Sequence, residues 1–311
     1  MKQKVVVFGS YVVDLMGRTP HLPVPGETVK GSFFKMGAGG KGFNQAVAAH
    51  KTGAEITVIT KMGRDSFADV ALNVMDELKM PKDGIFFAED TETGIALILV
   101  DENSSENEIV IVPGACATFS EEDTERAAEL INGAAYVLLQ LEVNQDANER
   151  VMKAANQCGA KVIVNTAPYS EVTDEFLAGA YMVTPNEVEA FEMTGVEVKD
   201  FDGACRAAEV FHQKGVKVVL ITMGSQGVFI SDGEERKLVP AFKVNALDTT
   251  GAGDAFNGGF LTALSEGRNV WDAAVFANAT AALSVQKLGT TPSMPTREEV
   301  EEFLHSRGIK E

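Results

Sequence analysis

The chain has 311 residues, enough for one large α/β domain with an appendage. Its 27 basic and 45 acidic residues leave a net charge of −18, a field that repels nucleic acid and anionic membranes. Composition is ordinarily globular, at 45% hydrophobic and 23% charged, and no apolar run approaches the ~18 residues of a membrane span.

Residues 5–8, Val-Val-Val-Phe, form a continuous apolar run, the signature of a strand buried on both faces. Gly9 and Ser10 break it, and Asp14 lies just beyond. Asp14 ends the apolar stretch and no cleavage signature follows, so no signal peptide is expected. In doubly wound sheets ligands bind beyond the carboxyl ends of strands, which places Asp14 to meet a ligand or to serve as a turn residue. Residues 20–26 read as loop and 28–36 as an exposed strand.

Gly37, Gly39 and Gly42 then spell G-x-G-x-x-G at the start of a helix through 46–49. A dinucleotide site would also need an acid ~20 residues on, at the end of the next strand. That strand, 56–60, ends in Lys61-Met62, so the dinucleotide reading is set aside. What remains is a helix start with bare backbone, carrying Lys41 and Asn44, suited to gripping hydroxyl groups. The alternative is a close helix–sheet contact that needs glycines.

Residues 67–78 form an amphipathic helix. Segments 94–100 and 107–112 are strands joined by the polar turn 101–106, a hairpin. With 28–36 they are expected to form a small antiparallel sheet outside the main one, acting as a lid. From residue 120 helices (121–131, 147–157, 189–194, 204–214) alternate with strands (136–139, 161–164, 181–183, 218–222). This alternation means a parallel sheet covered on both faces. Glu142, Asn165, Asn186, Glu189, Thr222 and the Gly224/Gly227 turn all follow strand ends, so they share one rim. Singly, Asn165, Asn186 and Ser225 also read as turn or cap residues.

The most informative stretch is Asp248-Thr249-Thr250-Gly251-Ala252-Gly253-Asp254, where an apolar helix begins. Helix-start N–H groups lack internal partners and carry partial positive charge, and small residues leave them open to an anion. Asp254, in the first turn, complements the dipole or takes a proton from a hydroxyl attacking phosphorus. Helices at 271–286 and 298–305 follow, around a loop at 288–295.

The chain has three cysteines, Cys116, Cys158 and Cys205, far apart and without histidines at ligand spacing. They read as reduced and mostly buried, which fits a cytoplasmic protein and excludes a zinc site. No Gly-x4-Gly-Lys-Ser/Thr stretch is present, so the phosphate binder is not of Walker type. No linker marks a second domain. Residues 1–311 read as one domain, with a β-lid from about 11–36 and 93–113.

Together these residues resemble the ribokinase (PfkB-type carbohydrate kinase) family over nearly the whole chain. Residues 39–48 are similar to its sugar-binding signature and 248–254 to its catalytic signature; 165–168 and 184–187 fall where the family has related segments. The resemblance implies a three-layer α/β/α sandwich with a mostly parallel sheet and a β-sheet lid. It also implies transfer of a phosphoryl group from ATP to a primary sugar hydroxyl, ribose first. Asp254 would be the base, and the N–H groups of Gly251, Ala252 and Gly253 the anion hole. Asp14, Gly39, Gly40, Lys41, Asn44 and Glu142 match sugar-binding positions. Asn186, Thr222, Gly224, Ser225, Gly227, Gly253 and Asn278 match nucleotide-contacting ones.

Asn186 and Glu189 match the neighbourhood that orders Mg²⁺ through water. Asp248, Thr250, Ser284, Lys287, Gly289 and Ser293 match the ligands of a monovalent cation, usually K⁺. Lid pairing in the family implies a homodimer. One position departs: Val12 stands where ribokinases usually carry the Asn that helps bind ribose. A buried hydroxyl left without a partner costs ~1–3 kcal/mol, enough to shift preference toward another pentose, a ketohexose or a nucleoside. A sugar-binding regulator without catalysis is the reading from another class, and the intact Asp254 and anion hole argue against it.

Overall fold

Strand β1 (Val5–Phe8) opens the chain, and all four of its side chains are fully buried. The computed structural model describes residues 2–104 and 106–309. The elements that follow are β2 (Val12–Thr19), β3 (Phe33–Gly39), α1 (Lys41–Lys51), β4 (Ile56–Met62), α2 (Ser66–Leu78), β5 (Ile85–Phe87), β6 (Thr93–Asp101) and β7 (Asn107–Gly114). Next come α3 (Glu121–Ile131), β8 (Tyr136–Gln140), α4 (Gln145–Gln157), β9 (Lys161–Asn165), α5 (Asp174–Gly179), β10 (Met182–Val183), α6 (Glu187–Thr194) and α7 (Phe201–Gln213). The chain continues with β11 (Val218–Thr222), β12 (Gly227–Ser231), β13 (Arg236–Pro240), α8 (Ala252–Ser265), α9 (Val270–Ser284) and α10 (Arg297–Ser306).

The main sheet has nine strands in the order β13-β12-β11-β10-β9-β8-β1-β4-β5. From β11 to β5 every pairing is parallel, while β12 and β13 run antiparallel at one end. Strand β1 lies well inside this sheet, with Val5 level with Ile56 on one side and Tyr136 on the other. Burial on both faces explains why β1, β8, β9 and β11 read as continuous apolar runs.

The second sheet has four strands, β3-β2-β6-β7. It is mixed rather than antiparallel as expected, because β2 pairs parallel with β6 and antiparallel with β3. Strand β2 is the element the sequence conceals. Asp14 lies within it, opposite Gly37 and Ala96, and is no turn residue. The exposed strand expected at 28–36 begins instead at Phe33, where its ladder with β2 begins. The β12–β13 hairpin, β5 and α5 are likewise additions.

Three helices pack closely because glycines line their contacts. A Cβ on Gly258 of α8 would meet Ala48 Cβ at 2.5 Å and the Gln45 carbonyl at 2.6 Å. One on Gly259 would meet Thr280 Oγ1 of α9 at 2.5 Å. Without side chains at these points, α1 and α8 lie against one another with their amino ends at the same sheet rim. That approach brings the two glycine-rich motifs together.

Candidate active site

Helix α8 starts at Gly251, which has φ 76° and no side-chain cap. The Ala252 N–H turns back to the Thr249 carbonyl at 3.1 Å. Nothing lies within 4 Å of where a Gly253 Cβ would stand, so an anion can approach the backbone there. Asp254, the next residue, is 7% exposed. Its carboxylate is gripped from α1: Asn44 Nδ2 donates to Oδ2 at 3.0 Å and Gln45 Nε2 to Oδ1 at 2.9 Å. Burial pushes the Asp254 pKa up; the Lys41 charge and the two amide donors oppose that, and Glu142 adds to it.

The start of α1 also carries a positive-φ glycine, Gly40 at 87°, and no side-chain cap. Here the glycines are pressed against backbone. A Cβ on Gly42 would lie 2.7 Å from the Gly9 carbonyl carbon and the Ser10 nitrogen. One on Gly39 would lie 2.2 Å from Asp14 Oδ1. The Lys41 N–H donates to Glu142 Oε2 at 2.9 Å, and Ser10 Oγ donates to the same oxygen. Glu142 therefore holds the first N–H of α1 from across the rim.

Asp14 faces this corner from β2. Thr290 Oγ1 approaches its Oδ2 at 3.4 Å, and the hydroxyls of Thr290 and Thr291 lie 3.1 and 2.6 Å from the Ala38 carbonyl. Burial lifts the Asp14 pKa to about 6, with the Thr290 contact opposing and the Glu142 and Asp254 charges assisting. Lys41 answers these acids. Burial would lower its pKa, but Asp254, Glu142 and Glu189 outweigh that and raise it.

On the other flank, Asn186 caps α6 in a reciprocal box with Glu189: Glu189 N–H to Asn186 Oδ1 at 2.8 Å, and Asn186 N–H to Glu189 Oε2 at 2.9 Å. Asn186 also bridges to Thr222, at the end of β11. Gly224 and Ser225 belong to the tight turn into β12. Gly227 has φ 114°, and its Cβ would meet the Val239 carbonyl at 2.1 Å. Asn278, on α9, donates to the carbonyls of Val239 and Pro240 at 3.2 and 3.1 Å.

Three segments converge beside the start of α8. Asp248 accepts from Thr250 N–H and Gly289 N–H, both at 2.9 Å, and its own N–H donates to the Val285 carbonyl at 3.1 Å. Burial would raise the Asp248 pKa, but these donors and nearby Arg18 bring it below the usual carboxylate value. Ser293 Oγ donates to the Thr290 carbonyl at 2.6 Å, and Ser284 Oγ to that of Ala281 at 2.9 Å. The Lys287 ammonium pairs with Glu299 at 2.8 Å.

Two long motifs, over 200 residues apart in sequence, thus meet at one carboxylate. The pfkB family carbohydrate kinase profile matches residues 2–297. The chain belongs to that family. Ribokinase of Haemophilus influenzae is 40% identical over 304 residues, covering 98% of this chain and 99% of its own. Deoxyribokinase of Salmonella typhi is 36% identical over 301 residues, covering 96% and 98%. Among solved structures, Arabidopsis thaliana ribokinase complexed with ribose and ATP matches with a TM-score of 0.90 and 31% identity, over 98% of this chain and 99% of that one. The architecture is the ribokinase fold.

For this carbohydrate kinase the sequence left several contributors unassigned. Ser10 is read only as a strand breaker, and Gln45, Gln140, Thr290 and Thr291 are given no role. The sequence signal available for Gln45 is its place, with Asn44, just ahead of an Ala-rich helical run; in the structure both are buried and must find polar partners.

Proposed function

We propose that this carbohydrate kinase transfers the γ-phosphoryl group of ATP to the primary hydroxyl of ribose, giving ribose 5-phosphate and ADP. The observation that carries this is the buried Asp254 carboxylate, set at the bare start of α8 and gripped by the amides of Asn44 and Gln45. Asp254 removes the hydroxyl proton as the oxygen attacks phosphorus. The bond to the β–γ bridging oxygen breaks and ADP departs. The Gly253 N–H faces the charge on the transferring group, and Lys41 favours the ionised form of Asp254 against the effect of burial. Asp14, Glu142 and Asn44 accept from or donate to the sugar hydroxyls, with Gly39 and Gly40 leaving room for the ring.

The nucleotide lies along Asn186, Thr222, Gly224, Ser225, Gly227 and Asn278. Glu189, facing Lys41 and Asp254 with one oxygen in the Asn186 box, fits a hydrated Mg²⁺. When bound, that ion would neutralise phosphate charge. The loop built on Asp248, Thr250, Ser284, Lys287, Gly289 and Ser293 is rich in carbonyl and carboxylate oxygens and fits K⁺. Its role would be to hold the loop shape behind the anion hole.

Residues 1–311 act as one unit, with the four-stranded sheet as lid. Phe33, Phe34, Met36, Leu97 and residues 109–112 leave apolar surface exposed on that sheet. A second copy covering it would make a homodimer in the cytoplasm.

The first experiment is ADP release from MgATP in K⁺ buffer across pentoses, 2-deoxyribose, hexoses and nucleosides. Ribose is expected to lead. Val12, 4% exposed and two residues before Asp14 on the same face of β2, offers no hydrogen bond to a hydroxyl. A substrate lacking or inverting one hydroxyl that outruns ribose by more than about tenfold would reassign the specificity. Asp254→Asn is expected to lose ~10²–10⁴ in kcat while still binding sugar.

A further inference from the structure

Asp254 is held by another helix, and the way it is held has a direction. A primary amide can present either its NH₂ or its oxygen to a carboxylate, and only the first is favourable. Gln45, fully buried, is turned the favourable way by a second amide: Gln140 Nε2 donates to Gln45 Oε1 at 2.7 Å. With that oxygen occupied, the Gln45 NH₂ faces Asp254 Oδ1 at 2.9 Å and Asn165 Oδ1 at 3.0 Å. Asn165 is fixed in turn, because its own Nδ2 donates to the Thr184 carbonyl at 2.9 Å. Gln140 has space because position 9 is glycine; a Cβ there would stand 1.8 Å from Gln140 Oε1.

We propose that Gln45, locked in orientation by Gln140, is the positioning residue that fixes the rotation of the Asp254 carboxylate toward the acceptor hydroxyl. The proposal rests on Asp254 being the base. The groups acting on Asp254 are Lys41, Asn44 and Gln45 from α1, Asp14 from β2, Glu142 after β8 and Glu189 from α6. Among them only Lys41 and the two amides favour the ionised form. Losing the Gln45 N–H moves the onset of base activity to higher pH.

The test uses the intact enzyme with Gln45→Met and Gln140→Met, both close to isosteric, and follows kcat and sugar KM against pH. For Gln45→Met, kcat should fall ~10–100-fold. Sugar KM should stay within about threefold, and the acid limb of kcat should move up by about one pH unit or more. Gln140→Met, which touches neither Asp254 nor the open face of the site, should move the limb the same way by less. Added to Gln45→Met, it should change nothing further. An unmoved acid limb in Gln45→Met, or effects that simply add in the double variant, would overturn the proposal. If Gln45→Met fails to fold, Gln140→Met decides alone, and an unmoved limb there is fatal. Asp254→Asn keeps the two ideas separate. Turnover intact in that variant removes the base and the proposal with it; turnover lost there with Gln45→Met unchanged removes the positioning role alone.

Discussion

The amino ends of α1 and α8 look alike in sequence and differ in what they meet. Each begins at a positive-φ glycine, Gly40 or Gly251, and neither has a side-chain cap. At α1 the neighbouring glycines are jammed against backbone and Asp14, and the Glu142 carboxylate supplies the anion from within the protein. At α8 the second helical position, Gly253, opens onto free space. The same local chemistry therefore does two jobs. One helix start is closed by the protein's own groups, as the wall of the proposed sugar site would be, and the other is left bare, which in the proposed reaction suits it to a phosphoryl group. Glycine at a helix start announces close approach; only the surroundings say whether protein or ligand makes it.

Substitutions at the paired glycines should separate these jobs. Gly42→Ala forces a methyl into the Gly9–Ser10 backbone and pushes α1 away from β1, at a cost of ~1–3 kcal/mol or more. Thermal unfolding should drop by several degrees, and activity should fall with it. Gly253→Ala meets no protein atom, so stability should hold or rise slightly, as Ala outranks Gly in a helix. Its methyl would stand where the anion approaches, and kcat should fall ~100-fold. Normal turnover in Gly253→Ala would end the contrast.

A smaller effect is expected from Glu142→Gln. The new side chain can still accept from the Lys41 N–H but brings no charge to the dipole or to Lys41. Sugar KM should rise ~10-fold with ATP KM unchanged; an equal rise in both would blur the division between the two helix starts.

The smallest effect concerns Asp14 and pH. Burial lifts its pKa in the folded chain to about 6, above the ordinary aspartate value of 3.8. The folded state thus binds protons more readily than the unfolded state. This contribution favours folding as pH falls from about 6 toward 4, and opposes it above 6. Sugar affinity runs the other way and should weaken below pH 6 as the acceptor is lost. Asp14→Asn should remove both dependences, raise the melting temperature at pH 8 and weaken sugar binding at every pH. Melting curves and sugar KM at pH 5 and 8 check it.

Much of this arrangement is legible in the sequence, for a physical reason. Strands buried on both faces write themselves as unbroken apolar runs, so β1, β8, β9 and β11 are plain, and residues following them fall on one rim. Asp248, Asp254, Lys41 and Asn44 stand in motifs whose glycines mark them. Strand β2 is hidden because half of it, Asp14, Gly17, Arg18 and Thr19, is polar or small and its partners β3 and β6 come from elsewhere in the chain. The β12–β13 hairpin does carry an Asp232-Gly233 turn signal, but its second strand opens on Arg236-Lys237 and is largely exposed, so no apolar run announces it. Gln45 and Gln140 escape for a different reason. Orientation of an amide is a property of the amide opposite, and no spacing rule connects positions 95 residues apart.

That distance also bears on how the chain comes into being. Strand β1 is made first, yet it is sandwiched between β4 and β8 and cannot be paired on both sides until residue 140 exists. The grip on Asp254 spans 210 residues from Asn44 and 209 from Gln45. Contacts so remote in sequence form late, because loop closure must come before they give any return. A chain still leaving the ribosome holds α1 with nothing to grip, and the Asp254 carboxylate arrives with α8, among the last helices. Catalytic competence is therefore a property of the finished fold, and recovery of turnover on refolding reports the closing step, after the sheet has formed.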